Sequence, residues 1–356
     1  MARKLHQALV FVLFTCAAAC LKDKPATVTN ELPPAGRNVY VICEGNFNSH
    51  YASLYAYQPG RDSVFGDLYA AANGQVMGDV MESMQHIGDQ LFLCVNNSSE
   101  VAVVSATDWK LAGTIAISMP RYLLPISATK AYVSSEYSRS VCVINPASMT
   151  VTGTIVMPDA GTEGMCLVNG TAFVCCWDTA CTHLYKIDVA TDKIVQSIPL
   201  PAHAPQEVWL DKEQMLWVLA GDQPYKYAAS LIRLDPSNGE ILARYQFPAD
   251  ADPVKPVMNG ARDTIYYLEA YNTGMLGNGI FRMGIHEAAL PAQPFIAAHA
   301  NQYLWALGVD PMSGDIYEGD AKDFSQKGTV YVYGKDGVPK SSFNVGPGPG
   351  HFYFDY

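Results

Sequence analysis

The phrase V-V-S-A-T-D-W-K-L-A-G-T-I-A-I beginning at Val103 returns as V-I-N-P-A-S-M-T-V-T-G-T-I-V-M at Val143 and as K-I-D-V-A-T-D-K-I-V-Q-S-I-P-L at Lys186. A looser copy, R-L-D-P-S-N-G-E-I-L-A-R-Y-Q-F, starts at Arg233. Each copy reads as a strand, a turn opened by Ser, Asn or Asp, and a second strand. With Ser105, Asn145, Asp188 and Asp235 as markers, the spacing is 40, 43 and then 47 residues, the length of one four-stranded propeller blade. That period predicts an all-β chain built of blades around an axis, with any ligand at one mouth of the axial channel.

Within each repeat the second strand, b, carries the strongest signal because it alternates aromatic and aliphatic residues. Copies lie at 38–42, 90–94, 130–134, 171–175, 215–219, 264–268 and 315–319, so seven blades are expected. In six of them a segment of about ten residues before strand b supplies strand a, the one nearest the axis. The first copy has no such segment. The chain instead ends in the apolar run G-H-F-Y-F-D-Y from Gly350, which has no later partner. This run is expected to become strand a of blade 1, closing a seven-bladed β-propeller and removing two exposed sheet edges.

Ahead of the repeats, Arg3 and Lys4 precede an apolar stretch from Ala8 to Phe14 and then Cys16-Ala17-Ala18-Ala19-Cys20, the layout of a secretory signal. It resembles a bacterial lipoprotein signal, which implies residues 1–19 as signal peptide, Cys20 as the lipidated residue, 20–36 as a flexible stalk and 37–356 as the propeller. An ordinary signal peptide cut near Ala19 is the alternative. The apolar stretch falls short of the roughly 20 residues that cross a bilayer, so the mature chain is expected at the membrane by its lipid only. The charged Lys22-Asp23-Lys24 after the cysteine resembles the signal that directs Bacteroidetes lipoproteins to the outer cell surface. A periplasm-facing anchor is the other placement.

The net charge of −11, which becomes −13 once Arg3 and Lys4 leave with the signal, disfavours nucleic acid as a partner, since phosphate neutralisation needs a basic surface. Seven cysteines follow Cys20, most of them inside apolar strand runs where Cys acts as a small buried hydrophobe. No C-x-x-C motif marks a structural zinc site. Cys176 and Cys181, which flank W-D-T-A, are a candidate disulfide.

Equivalent positions of every repeat should converge at the mouth. Stepping back about ten residues from the strand b aromatic yields Glu82, Arg121, Glu163, Glu207, Lys255, Trp305 and His351. Framework positions repeat their residue, whereas this set mixes carboxylates, cations and rings, as a surface shaped for one asymmetric ligand would; ordinary solvated loop residues are the alternative. The turns between strands b and c add Phe47, Asn96, Tyr137, Trp177, Tyr225, Tyr271 and Phe324. Aromatics beside amides or carboxylates are the usual material of small-molecule recognition, rigid area next to directional hydrogen bonds, unless they fold down over the blade edges.

No H-E-x-x-H, G-x-S-x-G or P-loop motif is present, so no enzyme and no cofactor are expected. A propeller lactonase, with Glu82, Glu163 and Glu207 around calcium, is a weaker alternative because Arg121 and Lys255 share the ring.

The start V-Y-V-I-C-E-G-N-F at Val39, with S-L-Y-A-Y at Ser53, G-D-V-M-E-S-M at Gly78 and V-N-N-S at Val95, resembles the YncE-like and surface-layer-like propeller lipoproteins of Bacteroidetes across about residues 37 to 356. Among these are BtuG-type proteins that capture cobalamin at the cell surface. The resemblance implies a ligand, cobalamin or another corrinoid foremost, held at the mouth by aromatic and polar loop residues and passed to a TonB-dependent outer-membrane transporter. A protein-binding scaffold of an envelope complex is the other non-enzymatic reading. Two long insertions, 271–279 in blade 6 and 323–327 in blade 7, are placed to cover the mouth.

Overall fold

A computed structural model describes residues 28–29, 31–34, 36–222, 227–269 and 278–355. Among the described residues seven sheets stand around one axis, six of four antiparallel strands and one of five. The strand b copies run Asn38–Cys43, Gln90–Val95, Lys130–Ser135, Thr171–Cys176, Leu216–Asp222, Thr264–Glu269 and Ile316–Asp320, each within a residue of its expected start. A short helix, Leu68–Asn73, links blades 1 and 2. No helix among the described residues is long and apolar enough to cross a membrane.

The turn markers act as the sequence suggests. Asn145, Asp188 and Asp235 each accept a backbone N–H two residues on through Oδ1, at 3.0, 2.8 and 2.8 Å, and Ser105 does so through Oγ at 3.2 Å. Such side-chain bonds open turns by mimicking a backbone turn. Four residues after each marker the chain takes a left-handed conformation, at Trp109, Met149, Asp192 and Gly239.

Strand b reads as unbroken apolar residues because both of its faces meet protein. In blade 2, Leu91, Leu93 and Val95 pack toward blade 1 while Phe92 and Cys94 pack toward blade 3. The same alternation divides Tyr40 and Ile42 from Val39, Val41 and Cys43 in blade 1. The buried apolar residues accordingly form seven clusters among the described residues, one at each junction between neighbouring blades. Outer strands such as Thr150–Val156 face solvent over most of their length.

The ring closes as expected. Pro349–Asp355 pairs antiparallel with Asn38–Cys43, Asn38 opposite Asp355 and Ile42 opposite His351, and forms the innermost strand of blade 1. Phe352 and Phe354 from this strand lie against Tyr317 of blade 7, with ring centroids 5.8 and 5.7 Å apart. Gly308 permits that approach, because a Cβ there would stand 2.9 Å from Phe352 Cβ. Val28–Thr29 adds a parallel fifth strand to the outer edge of blade 1, beside Ser63–Phe65.

All seven cysteines that follow Cys20 are free thiols, Cys176 and Cys181 included. Those two lie buried in the same cluster, between blades 3 and 4, and burial raises both pKa values. The proposed bridge is therefore not formed. Cys20, Tyr225 and Tyr271 lie outside the described residues, as does most of the 271–279 insertion.

Candidate functional site

Every innermost strand is bulged at its first turn. The ladder with strand b slips at Glu82, at Arg121 and Tyr122, at Glu163 and Gly164, at Gln206, at Lys255 and Pro256, at Trp305, and at Gly350. A bulge re-aims side chains and tightens the local twist. Five of these strands are also preceded directly by a left-handed residue: Val80, Met119, Gly161, Ala204 and Gly348. The carbonyls of four of these five accept the backbone N–H of Asn96, Glu136, Trp177 and Gly221 at 2.6 to 3.1 Å, and the Gly348 carbonyl accepts that of Glu44 at 2.8 Å. The end of strand b is thereby pinned beside the start of strand a in five blades, at the first residue after the strand in four of them and at Gly221 within it in the fifth.

This backbone delivers side chains into one cavity of about 220 Å³ at the channel mouth. Glu82, Arg121, Glu163, Glu207, Lys255, Trp305 and Trp177 line it, together with Glu44, Tyr122, Glu136, Gln206 and Val254. Larger surface grooves of about 420 and 450 Å³, beside Tyr266 and Arg282 and beside Arg37 and Met312, lie away from this mouth. They gather fewer converging polar groups.

Arg121 organises the floor. Its Nε donates to Glu163 Oε2 at 2.9 Å and its Nη1 to Glu82 Oε1. Although burial alone would lower its pKa, the two carboxylates hold the guanidinium firmly protonated. Burial pushes Glu163 up to about 8. Glu44 is pushed up to about 7 by burial and by the nearby Glu82, and its Oε1 accepts Trp305 Nε1 at 2.8 Å. Burial also raises Glu207, which is hydrogen-bonded to Tyr122. The Lys255 ammonium sits 5.3 Å from the centre of the Trp305 ring, a cation–π arrangement. The guanidinium occupies the place between Glu82 and Glu163 that the calcium reading would give to a metal. Among the described residues no group of three or more His, Cys, Asp or Glu is arranged to hold one.

The other expected residues take different positions. His351 is not on the cavity wall but beside Tyr122, ring centroids 6.2 Å apart, where burial and Lys255 lower it to about 3 and keep it neutral. Asn96 is buried and works as a strut, Nδ2 donating to Glu136 Oε2 at 3.1 Å. Phe324 meets Trp305 edge-on at 5.3 Å and backs it from outside. Phe47 and Tyr137 stay outside the cavity in the turns that follow strand b, 62% and 75% exposed. Trp177 donates from Nε1 to Gly221 O at 3.2 Å.

Residues that the repeat alignment passed over are explained by the bulges. In a regular strand neighbours point to opposite faces, so Tyr122, Gln206 and Val254 would be assigned away from the axis. The bulges instead bring both members of the pairs Arg121 and Tyr122, Gln206 and Glu207, and Val254 and Lys255 to the cavity. Glu44 and Glu136 share with Trp177 the position immediately after strand b, a register visible in the repeat. The lining contains no Ser, Thr, Cys or His; its reactive groups are carboxyls, Lys255, Arg121 and Tyr122, which can offer hydrogen bonds, charge or a proton.

Among solved structures the chain resembles a quinonprotein alcohol dehydrogenase-like protein from Bacteroides thetaiotaomicron VPI-5482, with a TM-score of 0.67 at 14% identity over 89% of this chain and 78% of that one. Hydrazine synthase from Kuenenia stuttgartiensis gives 0.62 at 14% identity over 78% and 92%. A streptogramin B lyase gives 0.58 at 13% identity over 74% and 83%. At such identities the likeness is one of fold, and a fold that carries both enzymes and binding proteins does not choose between them. Among curated protein sequences none matches significantly. Residues 37–355 match a family described as a domain of unknown function, DUF5074, and the chain belongs to that family, as a seven-bladed β-propeller.

Proposed function

We propose that the protein is a non-enzymatic capture protein that takes a large small-molecule nutrient, a corrinoid foremost, across the propeller mouth and presents it to a TonB-dependent outer-membrane transporter. The observation that carries this reading is the layering of the mouth: a floor of buried and half-buried, partly self-neutralised polar groups, Glu44, Glu82, Arg121, Glu163 and Lys255, with the exposed rings of Phe47 and Tyr137 outside it. Ligand pockets commonly combine a few fixed polar groups with aromatic area. A cavity of about 220 Å³ is smaller than the roughly 300–1,000 Å³ that encloses a drug-sized ligand. The ligand therefore lies over the mouth and sends one substituent down to the floor.

The geometry of the chain supports presentation outward. Asn38 begins strand b opposite Asp355, at the end of the channel far from His351 and the mouth. Pro34, which accepts from Gln58 Nε2, and Val28, level with Val64, Tyr57 and Val39, lie toward that same end, which favours a mouth pointing away from a membrane that held a lipid on Cys20. We assign the anchor to the cell surface on the sequence reading of residues 1–24.

The test is direct. The protein without residues 1–20 is incubated with cyanocobalamin, desalted and titrated calorimetrically. Co-eluting corrin absorbance with micromolar or tighter binding is expected. A colourless protein and flat titration would remove the corrinoid assignment.

A further inference from the structure

Two polar atoms of the mouth, Glu163 Oε1 and Lys255 Nζ, make no direct hydrogen bond to the described residues. Glu163 is 3% exposed, and while its Oε2 accepts from Arg121, its Oε1 is buried with no hydrogen-bond partner. Buried polar atoms are nearly always paired, so one facing a cavity points to a partner that arrives with the ligand. Lys255, on the wall of the same cavity, is held at φ +52° immediately before Pro256. Its ammonium meets the face of Trp305 and is attracted by Glu44 and Glu207 of the same cavity, with no direct hydrogen bond to the described residues. A non-glycine residue in that conformation is a backbone strain of the kind kept at functional sites.

Resting on the reading of the mouth as a binding site, we propose that its floor is a carboxamide subsite, in which Glu163 Oε1 and Lys255 Nζ together hold one neutral primary amide of the ligand. Lys255 donates to the amide carbonyl. Glu163 Oε1 accepts the amide N–H when its carboxyl is ionised, and donates to the carbonyl when it carries a proton. Among groups of this size the carboxamide meets both conditions, because it offers donors and an acceptor side by side. An ammonium would satisfy Glu163 and repel Lys255. A carboxylate would satisfy Lys255 and place a further charge beside Glu44, Glu82 and Glu207. The floor already neutralises its own charge in part, through Arg121 lodged between Glu82 and Glu163, so a neutral group enters with the least desolvation.

The experiment uses three probes of one shape, propionamide, propionate and propylammonium, titrated while the Trp305 indole N–H is followed by NMR and assigned with Trp305→Phe. Propionamide should shift that signal saturably, with the two charged probes at least about tenfold weaker, the ratio one good hydrogen bond supplies. Lys255→Met should weaken propionamide by a similar factor with the rest of the amide spectrum unchanged, and Glu163→Ala provides the second arm. No shift with propionamide, equal binding of a charged probe, or an unchanged titration in Lys255→Met overturns the proposal. Dicyanocobinamide and dicyanocobyrinic acid share a ring and differ in amides against carboxylates. Preference for the former supports the subsite, and preference for the acid overturns it. If neither corrinoid binds while propionamide does, the corrinoid assignment falls and the amide subsite stands.

Discussion

Replacing Arg121 with Met removes the one charge that holds the floor of the mouth together while filling much of the same space. The Arg121 side chain is 16% exposed, and its partners Glu82 and Glu163 are 8% and 4% exposed. Taking away one member of a buried ion pair costs about 3–5 kcal/mol, because the remaining charge is stranded. At roughly 2 °C of melting temperature per kcal/mol for a large domain, the variant should melt roughly 6–10 °C below the parent. The pH decides how much of that loss is seen. Burial already raises Glu163 from 4.5 to about 8 against the pull of Arg121, and without the guanidinium that acid rises further. An acid whose folded-state pKa lies above its unfolded one favours the fold below the unfolded value, and that contribution is lost as the pH climbs to the folded value. The deficit should therefore be smaller near about pH 5, where Glu163 is neutral, and larger near about pH 9, above the Glu163 value of about 8 in the parent. Calorimetry at both values measures it. The triple variant Arg121→Met, Glu82→Gln, Glu163→Gln, in which no charge is stranded, should recover most of the stability. A deficit under about 1 kcal/mol at the higher pH, or the same deficit at both, would refute the reasoning.

Three further outcomes are expected. Phe352→Ala should cost about 3–5 kcal/mol in urea melts, like a core Phe within a blade, because Phe352 is 8% exposed and packs on Tyr317 across the closure; a loss below about 1 kcal/mol would mean that the terminal strand is not what joins the ring. Tyr137→Ala should change stability by no more than about 0.5 kcal/mol, since the ring is 75% exposed, yet weaken corrinoid binding about three- to tenfold by calorimetry; the reverse pattern would assign Tyr137 to the framework. His351, lowered to about 3 by burial and Lys255, should show no imidazole titration by NMR between about pH 5 and 8, and the fold should lose stability as the pH falls from 6.5 toward 3; an ordinary midpoint near pH 6.5 would place the ring in solvent.

The number of blades, the position of each strand b and the closure by the C-terminal strand were all legible before any coordinates. They rest on short-range rules that every repeat restates: Asx-type turns at Asn145, Asp188 and Asp235, and unbroken apolar strands wherever both faces meet a neighbouring blade. The ring of Glu82, Arg121, Glu163, Glu207, Lys255 and Trp305 was legible for the same reason, since an offset of about ten residues from one framework residue holds in six blades and fails at His351 in the blade closed by the C-terminal strand. Tertiary structure decided what those residues do. The bulges that bring Tyr122 and Gln206 to the cavity depend on backbone slips that a two-residue period hides. The lodging of Arg121 between two acids joins blades 2, 3 and 4, elements about 40 residues apart with no local signal linking them. Spacing along the chain determines which side chains reach the mouth; the distances across it, set only when the ring closes, determine which of their charges cancel and which atoms remain open to a ligand.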